Sequence, residues 1–247
     1  MHSFYKGDIL KYLNNLENES VDLVVSDLSD IKLFDYKDDC LYTKYTYPGL
    51  KYDDNQSLIP RSVSNMNKTM VSDIAKQIEK CASWYRECHR VLKNNSIMYV
   101  FWPMKYLYLA YGIFDIDRIL FWQYSNGVSN VRGDLSYDIM PILIIRKGNP
   151  RIGENLSLNE RSSVIKITKP QANFVTDRSV TPNQKPIGLI DHLIKLADVD
   201  HAGNTIVNCY CKAGSIRKSI KYADLSMQEV ISSAYDDYTE YLSEINN

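Results

Sequence analysis

Two short stretches carry residue types that could do chemistry. "SVDLVVSDL" (20–28) is an apolar run closed by the carboxylate of Asp27, and "TIVNCYCKAGSI" (205–216) is an apolar run leading into Lys212, Ala213 and Gly214. An acid at the end of a buried strand can accept hydrogen bonds from a ligand's amino group. A strand that runs through a tight turn into a helix is where backbone amides approach a nucleotide-like ligand. Cys209 and Cys211 flank Tyr210, but one Cys-x-Cys with no second pair is poor metal-site evidence, and strand cysteines beside an aromatic pack in cores. His89, His192 and His201 have no ligand spacing, so no metal is expected. Lys212, Arg217, Lys218 and Lys221 form a basic cluster that reads first as a solvated face.

The elements that position these residues follow from periodicity. Val and Leu dominate 20–28, and "SIMYVFW" (96–102) and "DIMPILIIRKG" (138–148) are similar runs, all reading as buried strands. Ile74, Ile78, Cys81, Tyr85, Cys88 and Leu92 recur every three or four residues, which predicts a helix. "PIGLIDHLIKLA" (186–197) predicts another, with Ile190, Leu193, Ile194 and Ala197 on one face. Ser226 and Glu229 have the spacing of a capping box before a closing helix. Polar loops are expected at about 31–69 and 149–180, as insertions in one domain spanning 1–247. Strands alternating with helices imply an α/β fold with an open, mostly parallel sheet.

Composition narrows the class. With 247 residues, 45% hydrophobic and 24% charged, the chain is an ordinary globular one. No apolar run approaches a membrane span and the N-terminus has no apolar signal core, so no membrane partner is expected. Five cysteines, an odd number at irregular spacing, fit reduced thiols and an intracellular location, nuclear in a eukaryote or cytoplasmic in a bacterium or phage. The net charge of −1 gives no global attraction to nucleic acid, yet residues 131–185 hold nine Lys/Arg against five Asp/Glu. That tract is the place to look for a polyanion contact.

The order of segments resembles the DNA amino-methyltransferases of the β class, which methylate adenine N6 or cytosine N4. "YKGDILKYLNNLENESVDLVVSDL" is similar to the start of that family, where a Gly-Asp pair precedes a helix and a strand ends in Asp-Pro-Pro-Tyr. "WYRECHRVLKNNSIMYVFW" resembles the helix and strand that follow, and "ILFWQYSNGVSNVRGDLSYDIMPILIIRKGNP" the next strand, target loop and strand. "TPNQKPIGLIDHLIKLADVDHAGNTIVNCYCKAGS" resembles the Thr-Gln-Lys-Pro helix and the S-adenosylmethionine loop. The resemblance implies a Rossmann-like S-adenosylmethionine-dependent methyltransferase fold, helices on both sheet faces, with the catalytic half first in the chain.

The same resemblance implies which positions are altered. Asp-Pro-Pro-Tyr falls on Asp27, Leu28, Ser29 and Asp30. In the family the acid accepts hydrogen bonds from the flipped base's amino group, and the aromatic stacks on the base to offset a few kcal/mol of unstacking. Asp30 cannot stack, and the missing prolines leave the turn without its usual support. Asp-Pro-Phe-x-Gly-x-Gly falls on 208–214, so Asn208 replaces an acid and Lys212 a glycine, with Gly214 kept. Asp8 and Lys185 match cofactor-bordering positions, Asp8 also being a plausible helix N-cap and Lys185 part of a helix entry. Asp224 is a remnant of the acid that holds the ribose. The expectation is therefore a catalytically inactive methyltransferase-like subunit that binds no cofactor itself. It would support an active adenine-N6 methyltransferase subunit, which holds the S-adenosylmethionine, on DNA or RNA. Arg132, Arg146, Lys147 and Arg151 are the expected phosphate contacts. The alternatives are a divergent active enzyme that binds S-adenosylmethionine and uses Asp27, and a binding module without a methyltransferase partner.

Overall fold

A computed structural model describes residues 2–29, 51–52, 58–59, 68–126, 138–171, 173, 184–199, 203–209 and 226–231. They fall in two compact units, one of Met1–Asp30 with Ser83–Asn247 and one of Ile31–Ala82. The second unit contains β3 (Lys51–Tyr52) and β4 (Leu58–Ile59), an antiparallel pair within the segment expected to be loop.

The first unit is built on one sheet. Its strands are β1 (His2–Lys6), β2 (Val21–Asp27), β5 (Leu92–Phe101), β6 (Arg118–Gln123), β7 (Ile139–Lys147), β8 (Val164–Lys166), β9 (Thr205–Cys209) and β10 (Ser226–Ile231). They lie in the order β1-β10-β9-β2-β5-β7-β6-β8. Pairing is parallel except at β7, which runs against both β5 and β6. Central strands of a mostly parallel sheet are covered on both faces, and β2 accordingly reads Val21, Leu23, Val24, Val25 with almost no exposed surface.

Helices follow their caps and apolar stripes. In α1 (Ile9–Asn14) the Asp8 carboxylate accepts from the Lys11 amide at 3.0 Å, an N-cap, while Ile9 and Leu13 bury one face. α2 (Lys68–Val91) runs into β5, and Arg90 near its end donates to the carbonyls of Leu13 (2.7 Å) and Leu16 (3.0 Å), satisfying the frayed end of α1. A short α3 (Leu107–Ala110) follows β5. α4 (Ile187–Leu196) starts after Pro186, whose φ of −66° suits a helix entry, and turns Leu189, Ile190, Leu193 and Ile194 inward. They pack on Leu23, Val25, Ile97, Tyr99, Ile142, Ile144 and Ile206, which share one sheet face. On the other side, Trp84 and Trp102 meet the Phe114 ring edge-on at 6.3 and 5.3 Å.

Two expectations change. Ser226 and Glu229 do not cap a helix: β10 spans them, and its ladders to β9 and β1 override the local capping signal. The stretch at 149–180 also contains β8, which Trp122 helps fix by donating to the Ile167 carbonyl at 2.8 Å. The rest of the expected closing helix beyond Ile231, and Asp224, lie outside the described residues. Among the described residues no helix is long and apolar enough to cross a membrane.

Candidate functional site

Parallel strands bring Asp27, Phe101 and Cys209 to one edge of the sheet, the carboxyl-terminal edge where ligands bind in open α/β folds. Asp27 is paired with Phe101 in register and is 7% exposed. Its Oδ1 accepts from the Ser29 amide at 3.1 Å and the Ser29 hydroxyl at 2.6 Å. The Leu28 amide donates to the Phe101 carbonyl at 3.1 Å. The turn after β2 is therefore held by an Asp-centred hydrogen-bond pair and one interstrand bond, which corrects the expectation that losing both prolines leaves it unsupported. Serine does locally what a fixed φ does in the family.

Lys185, just before α4, reaches the same carboxylate. Its Nζ lies 2.9 Å from Asp27 Oδ2 and 2.9 Å from Ser29 Oγ, and 5.3 Å from the centre of the Phe101 ring. Lys185 is 4% exposed, so the pair is buried on both sides. Both oxygens of Asp27 thus carry donors from this chain. A buried pair of this kind has low net worth against an apolar replacement, yet losing one partner strands a charge.

Asn208 is buried on β9 opposite Val25, on the face that Asp27 shares two residues on. Its neutral amide adds no charge. Asp8 is exposed and engaged as the α1 cap. These described positions do not fit a sulfonium cofactor well: they supply one buried carboxylate and one buried ammonium already neutralising each other. A second cation here would meet the Lys185 charge, and among the described residues Asp27 is the one acid buried there. Asp30, Lys212 and Gly214 lie outside the described residues.

The neighbouring face of β9 holds thiols. Cys88 and Cys209 are fully buried. The hydrogen bond that Cys88 gives pulls the Cys209 thiol down against the opposing effect of burial, while burial pushes Cys88 up. Cys209 packs in the core, as the sequence expects of a strand cysteine, and Cys211 lies outside the described residues.

The expected phosphate contacts do not converge on Asp27. β7 is antiparallel, so Ile142 faces Phe101 across the ladder while Lys147 faces Ser96 at the other end. At about 3.3 Å per residue, Lys147 is roughly 16 Å from the Asp27 row. There Lys147 donates to the carbonyls of His89 (3.0 Å) and Leu92 (2.7 Å) and pairs with Glu19 at 3.2 Å, closing the end of α2. Arg146 pairs with Asp117 and Arg151 with Glu154. These three residues occupy the amino-terminal edge and the chain leaving it. Arg132 lies outside the described residues. A strand carries its two ends to opposite edges, so residues near the target loop in sequence lie away from Asp27.

What the sequence missed is the ion pair itself. Asp27 and Lys185 are 158 residues apart in the chain, and no spacing or composition signal joins them.

No family model matches the chain. A type II methyltransferase, M.HpaI of Haemophilus parainfluenzae, is 29% identical over 133 residues, which cover 51% of this chain. The match spans about a third, 33%, of that relative. Among solved structures, the M1.HpyAVI–SAM complex superposes with a TM-score of 0.62 at 15% identity, covering 100% of both chains. The cytosine-N4-specific PvuII DNA methyltransferase does so with 0.64 at 12% identity, covering 99% of this chain and 90% of its own. The chain therefore has the Rossmann-like fold of the S-adenosylmethionine-dependent methyltransferases, and half of its sequence is similar to a type II methyltransferase.

Proposed function

We propose that the chain is a methyltransferase-fold subunit that transfers no methyl group by itself and supports an active adenine-N6 methyltransferase subunit on DNA. The Lys185–Asp27 ion pair carries this reading. In the family that the sequence resembles, the acid at this position accepts hydrogen bonds from the target amino group. Here the Lys185 ammonium and the Ser29 hydroxyl already donate to it. The neutral Asn208 and the preformed ion pair also supply poor compensation for a sulfonium. A well-packed frame whose Asp27 carboxylate is already occupied by its own side chains suits a subunit that shapes a DNA groove for a partner.

The test is calorimetry of the purified full chain with S-adenosylmethionine, beside a labelled-methyl transfer assay on duplex DNA. The expected result is no heat of binding and no transfer by the chain alone, with co-purification of a related methyltransferase from the native source. Transfer that disappears in Asp27→Ala would overturn it.

One observation favours a second reading, a divergent active enzyme. Asp27 stands at the end of β2 with its turn held, so displacement of Lys185 by a substrate amino group would leave the carboxylate correctly presented. Methyl transfer by the chain alone separates the two.

A further inference from the structure

The segment between β7 and β8 crosses the α4 face of the sheet and is anchored at both ends. On one side the Gly153 amide donates to the Leu196 carbonyl at 2.8 Å, and Asn155 Nδ2 to Asp198 Oδ1 at 3.2 Å, tying it to the end of α4. On the other the Phe121 amide donates to the Ser163 carbonyl at 2.8 Å, tying it to β6. Ile152 and Leu156 pack on the core between these ties. A cavity of about 340 Å³ lies beneath. The sheet lines it with Leu120 and Ile144, α4 with Leu196, and the crossing segment with Ile152 and Leu158. Walls fixed in this way cost a ligand little ordering, and the volume falls in the range of small-molecule sites, about 300–1,000 Å³.

This cavity is separate from the Asp27 carboxylate. Leu120 is level with Ile142, Phe101 and Asp27, but three strand spacings from Asp27, about 14 Å. Arg118 stands two residues back from that row, level with Ile144, toward the amino-terminal edge.

The charged residues among those lining the cavity are Arg118 and Arg161. Arg118 Nε lies 3.4 Å from one oxygen of Asp117, whose other oxygen pairs with Arg146, so two guanidiniums share one carboxylate. Arg161 has no ion-pair partner among the described residues. The neighbouring Glu160 carboxylate is taken by the Ser157 amide at 3.0 Å and hydroxyl at 2.6 Å. The stem of Arg161 is nevertheless held: its Cγ and Cδ stand 3.0 and 3.2 Å from where a Cβ on Gly153 would lie, a place that only glycine leaves open. Positive charge is therefore left over beside an aliphatic wall. Leu158 belongs to that wall and is 82% exposed, so an apolar ligand gains cover there.

We propose that this cavity binds a small amphipathic anion, an aliphatic chain ending in a carboxylate or a phosphate. The chain lies against Leu120, Ile152, Leu158 and Leu196, and the head group meets the guanidiniums of Arg161 and Arg118. The site stands whether or not the chain transfers methyl groups.

The test titrates octanoate, octyl phosphate and octylammonium into the full chain, followed by ligand-observed NMR and thermal melting. Both anions are expected to bind and to raise the melting temperature, and octylammonium to do neither. The ratio of the two anion affinities assigns the head group. Arg118→Glu/Arg161→Glu is expected to weaken anion binding about tenfold. Lys76→Glu/Arg86→Glu, the same change of net charge placed on α2, is expected to leave it unchanged. Ser163→Trp, which fills the cavity from an exposed position, is expected to abolish binding. Circular dichroism checks that each variant is folded, and if Ser163→Trp is not, the arginine variant decides. No binding of either anion, equal binding of octylammonium, or wild-type affinity in a folded cavity variant overturns the site. None of these results bears on the inactive-subunit reading, which methyl transfer tests.

Discussion

Lys185 Nζ sits 2.9 Å from Asp27 Oδ2, and both side chains are almost wholly buried. Charges removed from water are tolerated only in such pairs, so each residue's place depends on the other. Lys185→Met is expected to destabilise the chain by about 3–5 kcal/mol, because Asp27 is left buried and uncompensated. Asp27→Leu/Lys185→Met should recover most of that loss. Chemical denaturation of the two singles and the double closes the cycle, and additive losses would show that the pair does not couple.

Ser29 tests the turn separately. Its hydroxyl and amide both bond Asp27 Oδ1, and its hydroxyl also meets Lys185. Ser29→Ala keeps the amide bond and removes the hydroxyl, at an expected cost of about 1–3 kcal/mol. Ser29→Pro removes the amide donor as well and is expected to cost more despite matching the family's residue. Greater stability of Ser29→Pro would mean that a fixed φ, not the hydrogen bonds, governs the turn.

Stability should fall on the acid side of neutrality. Burial holds His89 and His192 below the ordinary 6.5, with the Lys147 charge adding to the effect at His89 and Glu160 opposing it at His192. A base whose folded pKa is depressed binds protons more readily when unfolded, so unfolding free energy drops as pH falls below about 6.5. His89→Gln/His192→Gln should flatten that part of the profile. An unchanged slope between neutral pH and pH 5 would assign the acid sensitivity to carboxylates instead.

The frame was legible in the sequence because its signals are local and repeated. The apolar runs at β2, β5 and β7, and the stripe of α4, are dictated by burial on a covered sheet. Asp27 was legible as a strand-end acid for the same reason. What was not legible depends on topology. Lys147 looks like part of a basic tract until the antiparallel direction of β7 carries it away from Asp27. Ser226 and Glu229 look like a helix start until two neighbouring strands claim the segment. The partnership of Lys185 with Asp27 exists only once α4 packs over the sheet.

Gly148 ends β7 with φ of +71°, a conformation that L side chains seldom adopt. A Cβ there would also collide with the side chain of Asn94 and lie 2.7 Å from Asn95 Oδ1, the atom that accepts from the Asn149 amide at 2.9 Å. Gly148→Ala is expected to cost at least about 1 kcal/mol from the backbone alone, and more from the displaced Asn95 contact. Gly188, with nothing near its own Cβ position, is the control: Gly188→Ala should be neutral or stabilising by up to about 1 kcal/mol. Equal melting shifts for the two variants would contradict the geometry.

The last prediction concerns what frees the Asp27 carboxylate. If the Lys185 ammonium is what disfavours a second cation, then removing that charge should reverse the preference. Lys185→Gln keeps a polar side chain beside Ser29 and leaves the Asp27 carboxylate without its cation. A buried anion without a partner attracts whatever cation can reach it, and two unit charges about 4 Å apart interact by about 4 kcal/mol at an effective dielectric near 20. Calorimetry should therefore detect S-adenosylmethionine binding to Lys185→Gln where the wild type gives no heat. Asp27→Asn, which leaves Lys185 charged, should give none. Sinefungin, whose amine replaces the sulfonium and carries the same positive charge, should follow the same order. S-adenosylhomocysteine, which lacks that charge, should gain less from Lys185→Gln than S-adenosylmethionine does. Equal gains for the charged and uncharged ligands would place the obstruction in shape rather than in charge.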